Sequence, residues 1–172
     1  TVIKTITVGA GPMALVFNPT NDKVCCANFN GSSVTVIDAA ADTVIKTVTV
    51  GYRPRALVHD SVYNKVYCAN GGDGSVTVID GGINAAVATI NVGSFPCAFA
   101  LNPIQHRVYV ANQQSSTVSV IRDSSVTGIE ESFKPQAASL RPAIIVRGVL
   151  VLDGLGTRSG LSDNPVMSRA AL

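Results

Sequence analysis

The chain is written in short runs rich in Val, Ile, Thr and Tyr, each bounded by Gly, Asn, Asp or Pro. That is the pattern of β-strands separated by tight turns. Followed from Pro54, it predicts strands over 56–60, 65–70, 75–80 and 85–92, with turns at 61–64, 71–74 and 81–84. In the last type of strand, represented by 43–50, strict alternation puts Val44, Val48 and Val50 on one face. Thr47 and Thr49 then take the other face. No stretch carries the apolar spacing of a helix.

The strand pattern recurs at a spacing of 42 residues, with Thr1, Thr43 and Ala85 opening equivalent units. The units share Gly9, Gly51 and Gly93, then Pro12, Pro54 and Pro96, then Asn28, Asn70 and Asn112. Four antiparallel strands per repeat of this length form a blade of a β-propeller. Solenoids of similar period would require helices. Residues 1–8 are expected as an outermost strand without its blade, two full blades follow, and 96–122 supply three more strands. The total is three blades' worth, whereas closed rings use about four to eight. An incomplete ring is therefore expected, either a piece of a longer propeller or one part of an assembly of copies.

Two resemblances follow from particular residues. The segments Lys65-Val-Tyr-Cys-Ala-Asn70 and Arg107-Val-Tyr-Val-Ala-Asn112 are followed by 75–80 and 116–121, and resemble the YVTN-family propeller repeat. The Val-Gly-x-x-Pro steps at 8–12, 50–54 and 92–96 resemble that family's entry into the innermost strand. The likeness covers 1–122, implies the propeller fold and leaves the ligand open. The repeat stops near Gly128, which sets the propeller region at 1–127 and a polar linker at 128–139. Residues 140–152 are expected to add one or two strands. With Arg141-Pro142 and the run 146–151, the tail 140–172 resembles the start of a bacterial type IX secretion C-terminal sorting module. That resemblance implies a secreted or cell-surface protein, with the tail serving export and anchoring.

Composition narrows the partners. Hydrophobic residues make up 47% and charged residues 14%, which excludes a disordered chain. A formal charge of +2, spread without basic runs, gives no expectation of a nucleic-acid or membrane-surface partner. The apolar stretch 143–152 is interrupted by Arg147 and is too short to span a bilayer. Cys26 and Cys68 share a repeat position with Val110, so they are expected to behave as small apolar residues. No C-x-x-C spacing marks a metal site among the four cysteines.

Residues that recur in every unit are expected to hold the blade. Asn28, Asn70 and Asn112 would lock the turn through side-chain oxygens accepting backbone N–H groups. Gly9, Gly51 and Gly93 would relieve backbone strain. Residues that differ between units are the functional candidates. The loops joining fourth to first strand and second to third strand open on one end of a propeller. There, Tyr52, Arg53 and Arg55 with nearby Asp73 form a cluster with binding character, since guanidinium forks suit carboxylates or phosphates. His59 takes the place of Phe17 and Leu101 on the innermost strand, aimed at the channel or buried in the core. His106 replaces Asp22 and Asn64 in a turn and is expected in solvent. No nucleophile–base set, phosphate loop or metal-ligand spacing stands out, so no catalytic residue, cofactor or metal is expected. The combined expectation is a non-enzymatic scaffold that binds an extracellular protein or glycan, with self-association through open blade edges. The alternative is a fragment of a propeller enzyme, a lactonase-like hydrolase or quinone-dependent dehydrogenase, whose catalytic blades lie outside the chain.

Overall fold

The computed structural model describes residues 1–122 and the short strands 145–146 and 149–150. The chain divides into residues 1–129 and 130–172. The first unit is all-β among the described residues. Strands β1 (Pro12–Asn18), β2 (Lys23–Asn28), β3 (Ser33–Asp38) and β4 (Thr43–Thr49) form one antiparallel sheet in sequence order. A second sheet holds β5 (Pro54–Asp60), β6 (Lys65–Asn70), β7 (Ser75–Asp80) and β8 (Ala85–Asn91). A third has three strands, β9 (Pro96–Asn102), β10 (Arg107–Asn112) and β11 (Thr117–Arg122). The innermost strands β1, β5 and β9 lie next to one another, so the sheets stack as successive propeller blades, and they do not close a ring.

In the second unit, β12 (Ile145–Val146) pairs antiparallel with β13 (Val149–Leu150). The expected linker and the remainder of the sorting-like tail lie outside the described residues.

Apolar side chains fill two layers between blades. Cys25, Val34, Val36 and Val48 of the first blade pack with Val66, Cys68 and Ile79 of the second. Tyr67, Val76 and Val78 from the other face of the second blade pack with Val108, Val110 and Ile121. On the outward faces of the end blades, Leu15 and Phe17 are exposed on one and Val118 and Val120 on the other, while Cys26 and Ile37 of the first blade are buried.

Several sequence expectations change here. Residues 1–8 do not form a strand, and Val2 and Ile3 are exposed. A strand needs a backbone partner, and no third strand of a preceding blade lies beside this segment among the described residues. The blade region therefore contains eleven strands, not twelve. The outer strands also do not alternate strictly. Val36 pairs with Lys46 and Ile37 with Val44, so Ile45 is an extra residue in a bulge, repeated at Val87 in the second blade. The bulge puts Val44 out of phase with Val48, leaving Val44 43% exposed and Val48 5% exposed. Third, the invariant asparagines lock the blade by a different bond. Asn28 donates from Nδ2 to Ser33 Oγ (3.0 Å) and Thr35 Oγ1 (2.9 Å). Asn70 donates likewise to Ser75 Oγ and Thr77 Oγ1, and Asn112 to Thr117 Oγ1 and Ser119 Oγ. The amide thus ties the second strand to hydroxyls of the third, with all three asparagines buried.

The glycines and cysteines belong to the same lock. Gly9, Gly51 and Gly93 are not in the left-handed region, and a Cβ on any of them would come within 2.6 Å of the neighbouring Asn amide. They make room for the amide and do not relieve strain. Cys26 and Cys68 are more than apolar filler: each directs Sγ to the Asn Oδ1 two residues on, at 3.6 Å. Val110 has no donor, and Asn112 Oδ1 is left buried without a partner.

The seams between blades differ at their far ends. Across the first, Asn18 Nδ2 donates to Asn64 Oδ1 at 2.7 Å. The repeat-equivalent residues across the second are Asp60 and His106. Asp60 is fully buried with Oδ2 unpartnered, and His106 Nδ1 is buried and unpartnered too. His106 stacks at a tilt on Tyr63, with ring centroids 5.1 Å apart, and is only half exposed to the solvent in which it was expected.

Two measurements follow. Asn70→Ala should lower stability by about 2–3 kcal/mol in urea unfolding, because two buried hydroxyls lose their donor. Asn112→Ala should cost measurably less, since its Oδ1 is already unpaired; equal losses would contradict the role given to the thiols. The double variant Asp60→Asn with His106→Asn recreates the pair found at the first seam. It should raise stability by about 1 kcal/mol, and a loss would show that the two seams are not equivalent.

Candidate functional site

At one end of the stacked blades, main-chain hydrogen bonds lash the two loops of each blade together. Phe29 N donates to Gly11 O, Gly71 N to Arg53 O, and Gln113 N to Phe95 O. Next to these, Asn30 N, Gly72 N and Gln114 N donate to the carbonyls of Ala10, Tyr52 and Ser94. The position lashed by its carbonyl is left-handed in every unit. It is Gly11 (φ 66°) in the first, but Arg53 (φ 55°) in the second and Phe95 (φ 59°) in the third. A bulky residue in this region is uncommon and costs backbone strain, which gathers at ligand-contacting loops.

The innermost strands each carry a second irregularity beside this position. Pro54 pairs with Asn70 and Ala56 with Ala69, so Arg55 is the extra residue of a β-bulge. Met13 and Cys97 hold the same place in the other blades. A bulge re-aims the side chain it carries. Arg55 leaves the sheet there and runs between aromatic rings supplied by the first and third blades.

Those rings and the two guanidiniums alternate. Arg53 Cζ lies 4.9 Å from the centroid of Tyr52 and 5.7 Å from that of Phe29. Arg55 Cζ lies 5.7 Å from Phe29 and 4.4 Å from Phe95. The order is Tyr52, Arg53, Phe29, Arg55, Phe95, with Phe29 from the first blade and Phe95 from the third. Each such contact contributes about 0.5–1 kcal/mol when exposed and more when desolvated. Tyr52 and Arg53 are exposed, while Phe29, Arg55 and Phe95 are half-buried.

Two glycines make this packing possible. A Cβ on Gly71 would come 2.6 Å from Arg55 Cδ, and one on Gly72 would overlap the Tyr52 ring. The equivalent residues are Phe29 and Asn30 in the first unit and Gln113 and Gln114 in the third. The second blade therefore differs from its neighbours in a concerted way, with small residues opposite the large cationic and aromatic ones.

The structure brings Tyr52, Arg53 and Arg55 together and gives Asp73 another task. Asp73 Oδ2 accepts the Tyr52 backbone N–H at 2.8 Å, and Oδ1 accepts the Ser75 hydroxyl at 2.9 Å. Ser115 Oγ accepts the Ser94 N–H in the same way one blade on. Asp73 is thus a loop tie, and among the described residues no carboxylate or other acceptor engages either guanidinium. Phe29, Phe95, Gly71 and Gly72 were not singled out by sequence. Their signal was present in the loops 29–32, 71–74 and 94–97, where the units diverge beside the arginines.

His59 sits away from this cluster, near the far end of β5, paired with Val66. It is half-buried, and its Nε2 is buried without a partner. Burial pushes its pKa below the ordinary 6.5, opposed by the Asn64 side chain and the Asp60 charge. The buried thiols are poor nucleophiles, since burial pushes Cys25 up to about 11 and Cys68 higher still. Among the described residues, no three His, Cys, Asp or Glu side chains converge as metal ligands. Nor is any helix among them long and apolar enough to cross a membrane.

No protein-family model matches the chain, and no curated protein matches it. Solved structures do match, and they are β-propellers. Kuenenia stuttgartiensis hydrazine synthase aligns with a TM-score of 0.62 and 27% identity over 69% of this chain. A Bacteroides fragilis protein provisionally assigned as a 6-phosphogluconolactonase aligns with a TM-score of 0.61 and 19% identity over 70%. The Cps50 (Swd1) β-propeller domain of Myceliophteria thermophila gives 0.53 and 14% over 62%. The chain spans only 34%, 37% and 34% of these three proteins.

The lowered pKa of His59 carries a pH signature. The unfolded chain binds the proton more readily than the folded one, so stability is full above the ordinary imidazole range and falls as pH drops through it. Thermal unfolding between pH 8 and pH 5 should show His59→Leu, the residue of the third unit, losing less stability than the native chain. Parallel losses in both proteins would remove His59 as the cause.

Proposed function

We propose that the chain is part of a secreted or cell-surface propeller that works as a non-enzymatic binding platform. Its contact surface is the loop end of the second blade. The observation that carries this is the alternating row of two guanidiniums and three rings, drawn from three blades onto a bulge and two strained loops. Loops on a rigid scaffold are the usual seat of recognition, because the scaffold bears the cost of holding them. Propeller likeness extends to enzymes and non-enzymes alike, so support for a platform comes from this end of the blades. Secretion is drawn from the resemblance of residues 140–172 to a sorting module. Self-association through the exposed apolar faces of the first and third blades belongs to the same proposal.

Hydrogen–deuterium exchange against a ligand panel tests the platform. The panel holds acidic and basic peptides and neutral and anionic oligosaccharides. A binding ligand should slow exchange in 29–32, 52–55, 71–74 and 94–97. Protection confined to the far-end turns 19–22, 61–64 and 103–106 would overturn the assignment. So would turnover of lactone or ester substrates by the chain without any such protection.

A further inference from the structure

We infer that the row Tyr52–Arg53–Phe29–Arg55–Phe95 is a carboxylate-recognition site, and that its ligand is an acidic polypeptide segment. The inference rests on the platform reading above and names its ligand.

The first ground is unspent hydrogen-bonding capacity. A guanidinium is a planar fork of five N–H donors. Arg53 and Arg55 lie over aromatic rings, with Cζ 4.4–5.7 Å from the centroids. Ring contact satisfies the charge in part and supplies no hydrogen-bond acceptor in the plane of the fork. Among the described residues none of those donors reaches an acceptor, because the adjacent carboxylate of Asp73 is bound to Tyr52 N and Ser75 Oγ. Such donors pair most strongly with an oxyanion held two-pronged.

The second ground is preorganisation. Arg55 sits on a bulge, its stem runs against Gly71, and its head lies between Phe29 and Phe95. Less rotamer entropy is then lost when a ligand arrives, which raises affinity for the same contacts. The Arg53 main chain is fixed by its left-handed conformation and by the Gly71 N–H on its carbonyl, and its guanidinium lies over Tyr52 and Phe29. Two forks held two residues apart suit two carboxylates carried on one extended chain.

Ligand class follows from what the rings have left to offer. Sugars and nucleobases bind by stacking on open aromatic faces. Here each of the three rings already carries a guanidinium on one face, and the N–H donors without acceptors are the site's unspent polar groups. A nucleic acid would also call for a basic stripe, which a formal charge of +2 without basic runs does not supply. An acidic peptide needs only the local pair.

Fluorescence anisotropy with a labelled hexaglutamate peptide on the full chain tests this, with hexalysine as the opposite-charge probe. Hexaglutamate should bind and hexalysine should not, and affinity should fall steeply as salt rises, because the contact is ionic. Arg53→Gln and Arg55→Gln should each weaken binding at least fivefold. Arg55→Lys should not restore it, since an ammonium lacks the fork. Lys46→Gln, on the outer strand, should leave binding unchanged. Inorganic phosphate and polygalacturonate are run as competitors. Absent hexaglutamate binding, binding unmoved by either glutamine variant, or binding of polygalacturonate alone would overturn the inference. If another ligand still protects the same loops in exchange experiments, the platform survives and only the acidic-peptide assignment falls.

Discussion

A buried primary amide reaching from the second strand of each blade to two hydroxyls of the third is the contact around which these blades are organised. Asn70 Nδ2 meets Ser75 Oγ and Thr77 Oγ1 in a place sealed from water, where an unpaired polar group is costly. That cost makes the surrounding residues interdependent. The glycine at 9, 51 or 93 must lack a Cβ because the amide fills the space it would take. A cysteine thiol two residues upstream covers the amide oxygen in two blades. Because the amide sits where the second strand turns into the third, it also sets the height at which the loop-end turns begin. The candidate site stands on that base.

The fold was legible in the sequence because its evidence is periodic. A 42-residue repeat with period-two alternation admits few architectures, and the strands at 65–70 and 75–80 fall where the pattern put them. What escaped was aperiodic or depended on a third dimension. Ile45 and Arg55 are extra residues in bulges, and a bulge leaves no trace in a hydrophobicity pattern that tolerates one shifted residue. The repeat marks Asn70 as a lock, but its partners lie five and seven residues away across a hairpin. Residues 1–8 show the reverse failure. Their composition is that of a strand, yet pairing decides, and the partner strand is not there among the described residues.

The candidate site was half legible for the same reason. Tyr52, Arg53 and Arg55 are adjacent in sequence and depart from the repeat, so they drew attention together. Phe29 and Phe95 come from other blades, and only stacking of β1, β5 and β9 brings them to the arginines. Asp73 falls near enough in sequence to join the binding cluster, whereas geometry gives its oxygens to the Tyr52 N–H and the Ser75 hydroxyl. Strain is visible only in coordinates: Arg53 and Phe95 occupy the left-handed position that Gly11 fills without cost.

The lashing of the loops has a consequence for how such a protein changes over time. In all three blades it is made by main-chain groups, across pairs as unlike as Phe29 with Gly11, Gly71 with Arg53 and Gln113 with Phe95. Backbone bonds carry no memory of which side chain stands above them. Each blade therefore holds a slot that mutation can rewrite without renegotiating the architecture beneath. New specificities can be sampled one blade at a time, and a duplicated unit begins with its framework already complete.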